Sequence, residues 1–416
     1  MKIYKMVPES VINELENQLM SKEFKLNSLL EVTRAINYNK PVAEILDIYN
    51  FILREQLGIR KFVLYNHQEK WQIITKVGVK GKIKDINIER DILKFKDITV
   101  IESSYKKSLN NFDVIIPVFH KEQPLAYLFV NGILVDAPDN KHAFEDLNFI
   151  QTLTNIIVVA IENKRLANES IKQQRVRQEL EVASEMQRLL FPSQLPSNNK
   201  IDISAKYLSH HKVSGDYYDY IRLNKDEFIV CIADVSGKGI SAAMLMANFQ
   251  ATVRTIFNVQ RPSLEELVED LNDKVFTSAK GEKFVTFFIA EYNSKTRQLK
   301  YVNAGHNWPI LIRNRESQFL NKGCIGLGML EELPFLESDT VTIKNNTTLI
   351  LYTDGVVELE NATEEQFETE RLTKIVQSFY PLSMEDLNEI VFSKLDDWRG
   401  KKNYVDDTAI LSCRIF

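Results

Sequence analysis

The chain has 416 residues, with 52 Lys+Arg against 57 Asp+Glu and a formal net charge of -5. That length exceeds one ordinary core and predicts two or three domains, and 44% hydrophobic with 26% charged residues describes a globular rather than a fibrous or disordered protein. The mild acidity, without any basic run, argues against an electrostatic grip on nucleic acid or on an anionic membrane, so neither is an expected partner.

The opening MKIYKMVPES lacks the apolar core of a signal peptide, and the apolar run Ile156–Ile161 is far shorter than the about 20 residues of a spanning helix. A cytoplasmic protein is expected. From about residue 10 to 36, Val11, Leu15, Leu19, Leu29, Val32 and Ile36 recur at helical spacing, and a helix is expected over Ala43–Gln56. β-Branched and aromatic runs at Lys61–Tyr65, Trp71–Val77, Asp113–Phe119 and Leu125–Val130 read as strands. Together they predict helices flanking an antiparallel sheet.

Glu145–Phe191 has no internal Gly or Pro and predicts one long helix or two in sequence, ended by Pro192 and Pro196. Ile171, Val176, Leu180, Ala183, Met186 and Leu190 keep one apolar stripe among charges. Such a stripe serves either a helix pair between two subunits or packing against a flanking domain.

Beyond residue 198, strands are expected at Asp202–Leu208, Phe228–Ala233, Lys283–Tyr292, Gln298–Asn303, Pro309–Arg313, Thr347–Tyr352 and Thr408–Ile415. Helices are expected at Ile240–Phe257, Leu264–Phe276, Glu365–Phe379 and Met384–Trp398, with a capping box at Ser263-x-x-Glu266 and a similar start at Ser383-x-x-Asp386.

The three cysteines show no CxxC spacing and the six histidines no HExxH, so a bound metal would rely on carboxylates. The apolar run Phe228–Ala233 delivers Asp234 and then Gly237 and Gly239; Thr348–Thr353 delivers Asp354-Gly355; Asp406-Asp407 precedes a strand; Asp216 and Asp219 flank two tyrosines after Ser214-Gly215. Singly, each reads as a turn-forming acid. Converging carboxylates repel, and divalent cations such as Mg²⁺ or Mn²⁺ make such a cluster tolerable at neutral pH.

Five blocks, Ser214-Gly-Asp-Tyr-Tyr-Asp-Tyr, Ala233-Asp-Val-Ser-Gly-Lys-Gly-Ile-Ser-Ala-Ala-Met, Asn303-Ala-Gly-His-Asn, Leu351-Tyr-Thr-Asp-Gly-Val-Val-Glu and Asp406-Asp-Thr-Ala, resemble the signatures of SpoIIE-type (PPM, type 2C-like) serine phosphatases. The resemblance covers 193–416 and extends to the preceding helix, Glu179–Phe191. It implies an α-β-β-α sandwich with a two-metal site, in which two Mn²⁺ or Mg²⁺ ions activate a water against phosphoserine or phosphothreonine. Asp216, Asp234, Asp354 and Asp406 match the family's metal acids, and Val235 supplies a backbone carbonyl. Ser214 stands where the family often has glycine, His306 reads as a structural turn histidine, and no arginine is assignable to the phosphate.

Residues 22–165 resemble a GAF sensor domain through element order and Ile115-Ile-Pro-Val-Phe followed by Gln123-Pro-Leu-Ala-Tyr-Leu-Phe-Val, with Ala126 in place of the usual glycine. Phe62, Tyr65, Trp71 and Tyr127 would line a pocket or fill a core. The expected organisation is α+β: an N-terminal helix (1–21), the GAF-like α/β domain (22–165), a helical linker (166–192) and the phosphatase domain (193–416). The resemblance further implies a STAS-type anti-sigma-factor antagonist as phosphorylated substrate, and the apolar stripe makes a homodimer through the linker helix and sensor domain the expected assembly. The alternatives are a non-catalytic scaffold of the same fold and, more remotely, a nucleotidyl cyclase.

Overall fold

The computed structural model describes residues 9–79, 86–101, 109, 111–133, 141–210, 212–259, 261–313 and 316–416. Residues 1–8 of the expected N-terminal helix lie outside this set. Contacts divide the chain after Gln173 into two units.

The first unit has α1 (Glu9–Asn37), then α2 (Val42–Phe51), which loosens into a π-helical turn at Ile52–Gln56 where one continuous helix was expected. Five strands follow: β1 (Lys61–His67), β2 (Trp71–Val77), β3 (Thr99–Val100), β4 (Val114–His120) and β5 (Gln123–Asn131). They form one sheet in the order β2-β1-β5-β4-β3, every pair antiparallel. Strand alternation sends Phe62, Leu64 and Leu128 towards the helices and Val63, Tyr65, Tyr127 and Phe129 into a second cluster on the other face. Phe62 therefore shares no face with Tyr65 and Tyr127. The Tyr49 hydroxyl meets Thr154 Oγ1 at 2.8 Å within the helical layer.

The expected helical stretch is a single helix, α3 (Lys141–Arg188). Over its last turns, Val176, Leu180, Ala183, Met186 and Leu190 of the predicted stripe line a groove of about 460 Å³ against Ile240, Ala243, Met244 and Ala247. Of the stripe, Leu190 packs on the second unit's core, while Val176 and Met186 stay about half exposed along the groove.

The second unit continues with β6 (Ile201–Leu208), β7 (Tyr217–Arg222), β8 (Glu227–Val235), α4 (Ile240–Val259), α5 (Leu264–Ala279), β9 (Val285–Asn293), β10 (Gln298–Ala304), β11 (Ile310–Arg313), β12 (Glu316–Phe319), β13 (Gly323–Cys324), β14 (Asp339–Thr342), β15 (Thr347–Tyr352), α6 (Asp354–Val357), α7 (Glu368–Ser378), α8 (Met384–Arg399) and β16 (Thr408–Ile415). One sheet runs β13-β10-β9-β8-β7 with β14 also on β10, the other β12-β11-β15-β16-β6. The pairing is antiparallel except for the two-residue parallel pair β10–β13, a departure from the expected all-antiparallel sheets.

Alternation along β8 explains the layers. Phe228, Val230 and Ile232 pack between the sheets against Leu349, Leu351 and Leu411, while Ile229, Cys231 and Ala233 face α4 and α5. Ile350, Tyr352 and Ile410 face α7 and α8 on the far side. The result is the expected helix–sheet–sheet–helix sandwich. Strand β7 was not foreseen, because its acids and the preceding glycine read as a turn; burial of Tyr217 and Asp219 makes it a strand. Ser263 forms the full capping box with Glu266, whereas at Ser383 the hydroxyl accepts from Asp386 N–H and donates to that residue's carboxylate.

Candidate metal centre

Asp234 is the penultimate residue of β8, held by the buried run before it. Beyond it, Gly237 and Gly239 take φ of +84° and +79°, a left-handed geometry glycine adopts without a Cβ clash, and the chain turns into α4. Asp216 lies just before β7 and is 2% exposed. The Asp216 N–H donates to Ser214 Oγ at 3.0 Å. Ser214 is gripped twice by Gln187: its N–H donates to Oε1 at 3.0 Å and its carbonyl accepts from Nε2 at 2.8 Å. A Cβ on Gly215 would stand 2.9 Å from the Val235 carbonyl oxygen, so this glycine lets the Asp216 turn lie on the end of β8.

Asp354 opens α6 one residue beyond the fully buried β15, after Thr353. A Cβ on Gly355 would come within 2.0 Å of the Asp407 carbonyl oxygen, so only glycine allows this loop to close on the Asp406-Asp407 turn. Asp407 is buried and accepts the His210 N–H at 2.7 Å. Asp406 is partly exposed and ion-paired to Lys238 at 2.7 Å.

These acids act on one another. Burial, then the charges of Asp234 and Asp407, push the Asp216 carboxyl well above the ordinary range, with the Thr353 hydroxyl pulling the other way. Burial and the Asp354 charge raise Asp234 to about 7, and burial and the Asp406 charge raise Asp354 to about 6. One Asp216 carboxylate oxygen is buried without a hydrogen-bond partner, a state that buried polar atoms rarely accept. An all-oxygen donor set with an orphaned buried carboxylate oxygen fits a hard divalent cation. Among the described residues, no three acidic, histidine or cysteine side chains already stand as a closed metal cage.

His306 is a tie. Its N–H donates to Asn303 Oδ1 at 2.8 Å, Nδ1 meets Thr286 Oγ1 at 2.8 Å and Nε2 meets the Tyr352 carbonyl at 3.1 Å. Burial lowers its pKa to about 4, so it is neutral. Thr286 faces Asp234 across β8–β9, and Tyr352 lies two residues before Asp354, so the imidazole links the strands that carry both acids. The fold thus brings Asp216, Asp234, Asp354 and Asp406 into one electrostatic neighbourhood, with the Val235 carbonyl against Gly215. Sequence reasoning missed three partners. Asp407 was legible as half of the acid pair, and Lys238 as the residue between two glycines. Gln187, one polar residue among many on a helix, carried no signal.

A four-layer sandwich with acids gathered at strand ends agrees with what the resemblance to PPM-type phosphatases implies. Residues 224–416 match the family described as Stage II sporulation protein E (SpoIIE), and the C-terminal unit is a SpoIIE-type phosphatase domain. The chain is 28% identical over 244 residues to phosphoserine phosphatase RsbU of Bacillus subtilis, covering 58% of this chain and 71% of that protein. It is 27% identical over 186 residues to phosphoserine phosphatase RsbP of the same organism, covering 44% of this chain and 46% of that one. The SiaA-PP2C domain of Pseudomonas aeruginosa superposes with a TM-score of 0.52 at 19% identity, covering 59% of this chain and 99% of that domain; this likeness speaks for the fold alone.

Proposed function

We propose that the chain is a metal-dependent protein serine/threonine phosphatase that removes phosphate from phosphoserine on a regulatory protein, under the control of its N-terminal unit. The observation that carries this reading is the orphaned, buried Asp216 oxygen among carboxylates that burial and mutual repulsion have pushed upward. Asp216, Asp234, Asp354, Asp406 and the Val235 carbonyl would hold two Mn²⁺ or Mg²⁺ ions. When bound, such ions supply charge neutralisation, Lewis acidity towards a phosphoryl oxygen and a nucleophile from water at neutral pH. The protein's own part is to hold the acids still. Gln187 fixes the turn before Asp216, His306 joins the Asp234 and Asp354 strands, and the His210 N–H anchors Asp407.

The RsbU and RsbP likeness supports a signalling role, with a STAS-type anti-sigma-factor antagonist as substrate. The five-stranded antiparallel sheet with helices on one face supports a GAF-like sensor over 22–165, joined through a linker at 166–192 to the catalytic domain at 193–416. Half-exposed Leu166, Ile171, Val176, Val182 and Met186 on α3 support a homodimer through that helix. Among the described residues no helix is long and apolar enough to cross a membrane.

Purified protein is expected to hydrolyse p-nitrophenyl phosphate or a phosphoserine protein only with Mn²⁺ or Mg²⁺, and Asp234→Asn to abolish turnover. Metal-independent activity sinks the reading, and intact metal binding without turnover would favour a scaffold.

A further inference from the structure

We propose that Lys238 is an internal counter-cation of the acid cluster: it holds Asp406 in the ion-free protein and must be displaced when a divalent ion takes that carboxylate. The inference rests on the reading of Asp406 as a metal acid. Lys238 Nζ stands 2.7 Å from Asp406 Oδ2 and donates to the Val405 carbonyl at 2.8 Å, so one ammonium clasps both the side chain and the backbone of the turn before β16.

The backbone beneath it is fixed. Gly237 and Gly239 on either side occupy the left-handed region. Ser236 is stapled to β9's approach by its N–H to the Phe284 carbonyl and by its Oγ, which accepts the Phe284 N–H, both at 2.9 Å. Lys283 Nζ donates to the Ser236 carbonyl at 2.9 Å. A rigid loop with one long flexible side chain aimed at an acid is built for a contact that can be made and released. The exposures agree: the Lys238 and Asp406 side chains are 46% and 34% exposed, so the ammonium has an open path away from the cluster.

The energetics follow from competition. Five carboxylates repel one another when no ion is present, and the Lys238 charge offsets part of that repulsion at its outer edge. An incoming divalent ion must break the pair before it can use Asp406, so its observed affinity is its intrinsic affinity reduced by the strength of the pair. A lysine that merely decorates the surface, or that positions Asp406 for the ion, predicts the opposite or nothing.

The test is Mn²⁺ titration calorimetry on the full chain, with melting temperatures in EDTA alongside. Lys238→Met should tighten Mn²⁺ binding about fivefold, the upper end of what a partly exposed ion pair is worth, and should lower the melting temperature in EDTA. Lys238→Arg should keep the wild-type affinity. Unchanged or weakened Mn²⁺ binding in Lys238→Met, with its fold intact in EDTA, overturns the proposal. Absence of Mn²⁺ binding by the wild-type chain would instead overturn the metal-centre reading, so the two failures are distinct.

Discussion

Two aspartates three residues apart receive opposite treatment. Asp219, inside β7, is 0% exposed and fully served. Arg254 reaches it with Nε at 2.7 Å and Nη2 at 2.8 Å, the Tyr217 hydroxyl donates at 2.6 Å, and the Tyr220 N–H at 2.8 Å. Asp216, just before the same strand, is 2% exposed and keeps a buried oxygen with no partner. A buried carboxylate normally persists because donors replace its lost water. Asp219 obeys that rule and ties β7 to α4. Asp216 breaks it at that oxygen, beside the raised carboxyls of Asp234 and Asp354, and the missing donor is what a cation would supply.

The largest effect should come from unmaking the satisfied site. Arg254→Ala strips the bidentate partner from a buried charge, and ion-free protein should lose about 3 kcal/mol, the low end for a broken buried pair because the Arg254 side chain is 42% exposed. Urea unfolding in EDTA measures this; a loss under about 1 kcal/mol would mean that Tyr217 and Tyr220 suffice for Asp219. Asp216→Asn should do the reverse. An amide has no charge to bury, so the ion-free protein should gain about 1 kcal/mol, while Mn²⁺ should cease to raise the melting temperature. A destabilised variant would show that Asp216 is held by interactions as good as those of Asp219.

The same contrast predicts a pH dependence in EDTA. Asp234 titrates near 7 in the folded chain, above its ordinary value because of burial and the Asp354 charge. A group raised on folding contributes stability that is lost as pH rises through its folded value. His306 is lowered to about 4, so it opposes this fall through its ordinary value and fades only above about pH 7.5. Melting temperatures in EDTA should therefore fall modestly between pH 6.5 and 8, the tail of a loss that begins near the ordinary carboxylate range, and Asp234→Asn should shrink the fall while Asp216, raised in the same direction, keeps the remainder. A rise over that interval would contradict the burial assigned to Asp234.

How much of this was legible follows from what each residue leaves in a sequence. Asp234 and Asp354 stand at the ends of long apolar runs followed by glycine, a pattern that shows both a buried strand and an exit from it. The layers were legible for the same reason, since Phe228–Ala233 is apolar on both faces and needs cover on both. β7 was not, because a strand carrying Asp219 buries a charge that only Arg254, 35 residues onward, makes tolerable. The grip of Gln187 on Ser214 was hidden likewise: a polar residue near a helix end looks solvated until the turn it holds is seen.

Gln187 gives the smallest predicted effect and bears directly on how Asp216 is held. Its amide makes two hydrogen bonds to the Ser214 backbone, the N–H at 3.0 Å and the carbonyl at 2.8 Å, and Ser214 Oγ in turn receives the Asp216 N–H. Asp216 thus has a well-held backbone and a carboxylate that the Thr353 hydroxyl serves while Oδ2 has no partner. Gln187→Ala removes the hold without touching an acid, and should lower stability by about 1 kcal/mol, the net worth of such bonds. Because the turn before Asp216 would then be less fixed, Mn²⁺ should bind a few-fold more weakly. Gln187→Glu, which still accepts the Ser214 N–H but cannot donate to its carbonyl, should fall between Ala and wild type. If Mn²⁺ affinity is unmoved while stability drops, Gln187 merely glues the helix end to the core, and Asp216 is held by β7 alone.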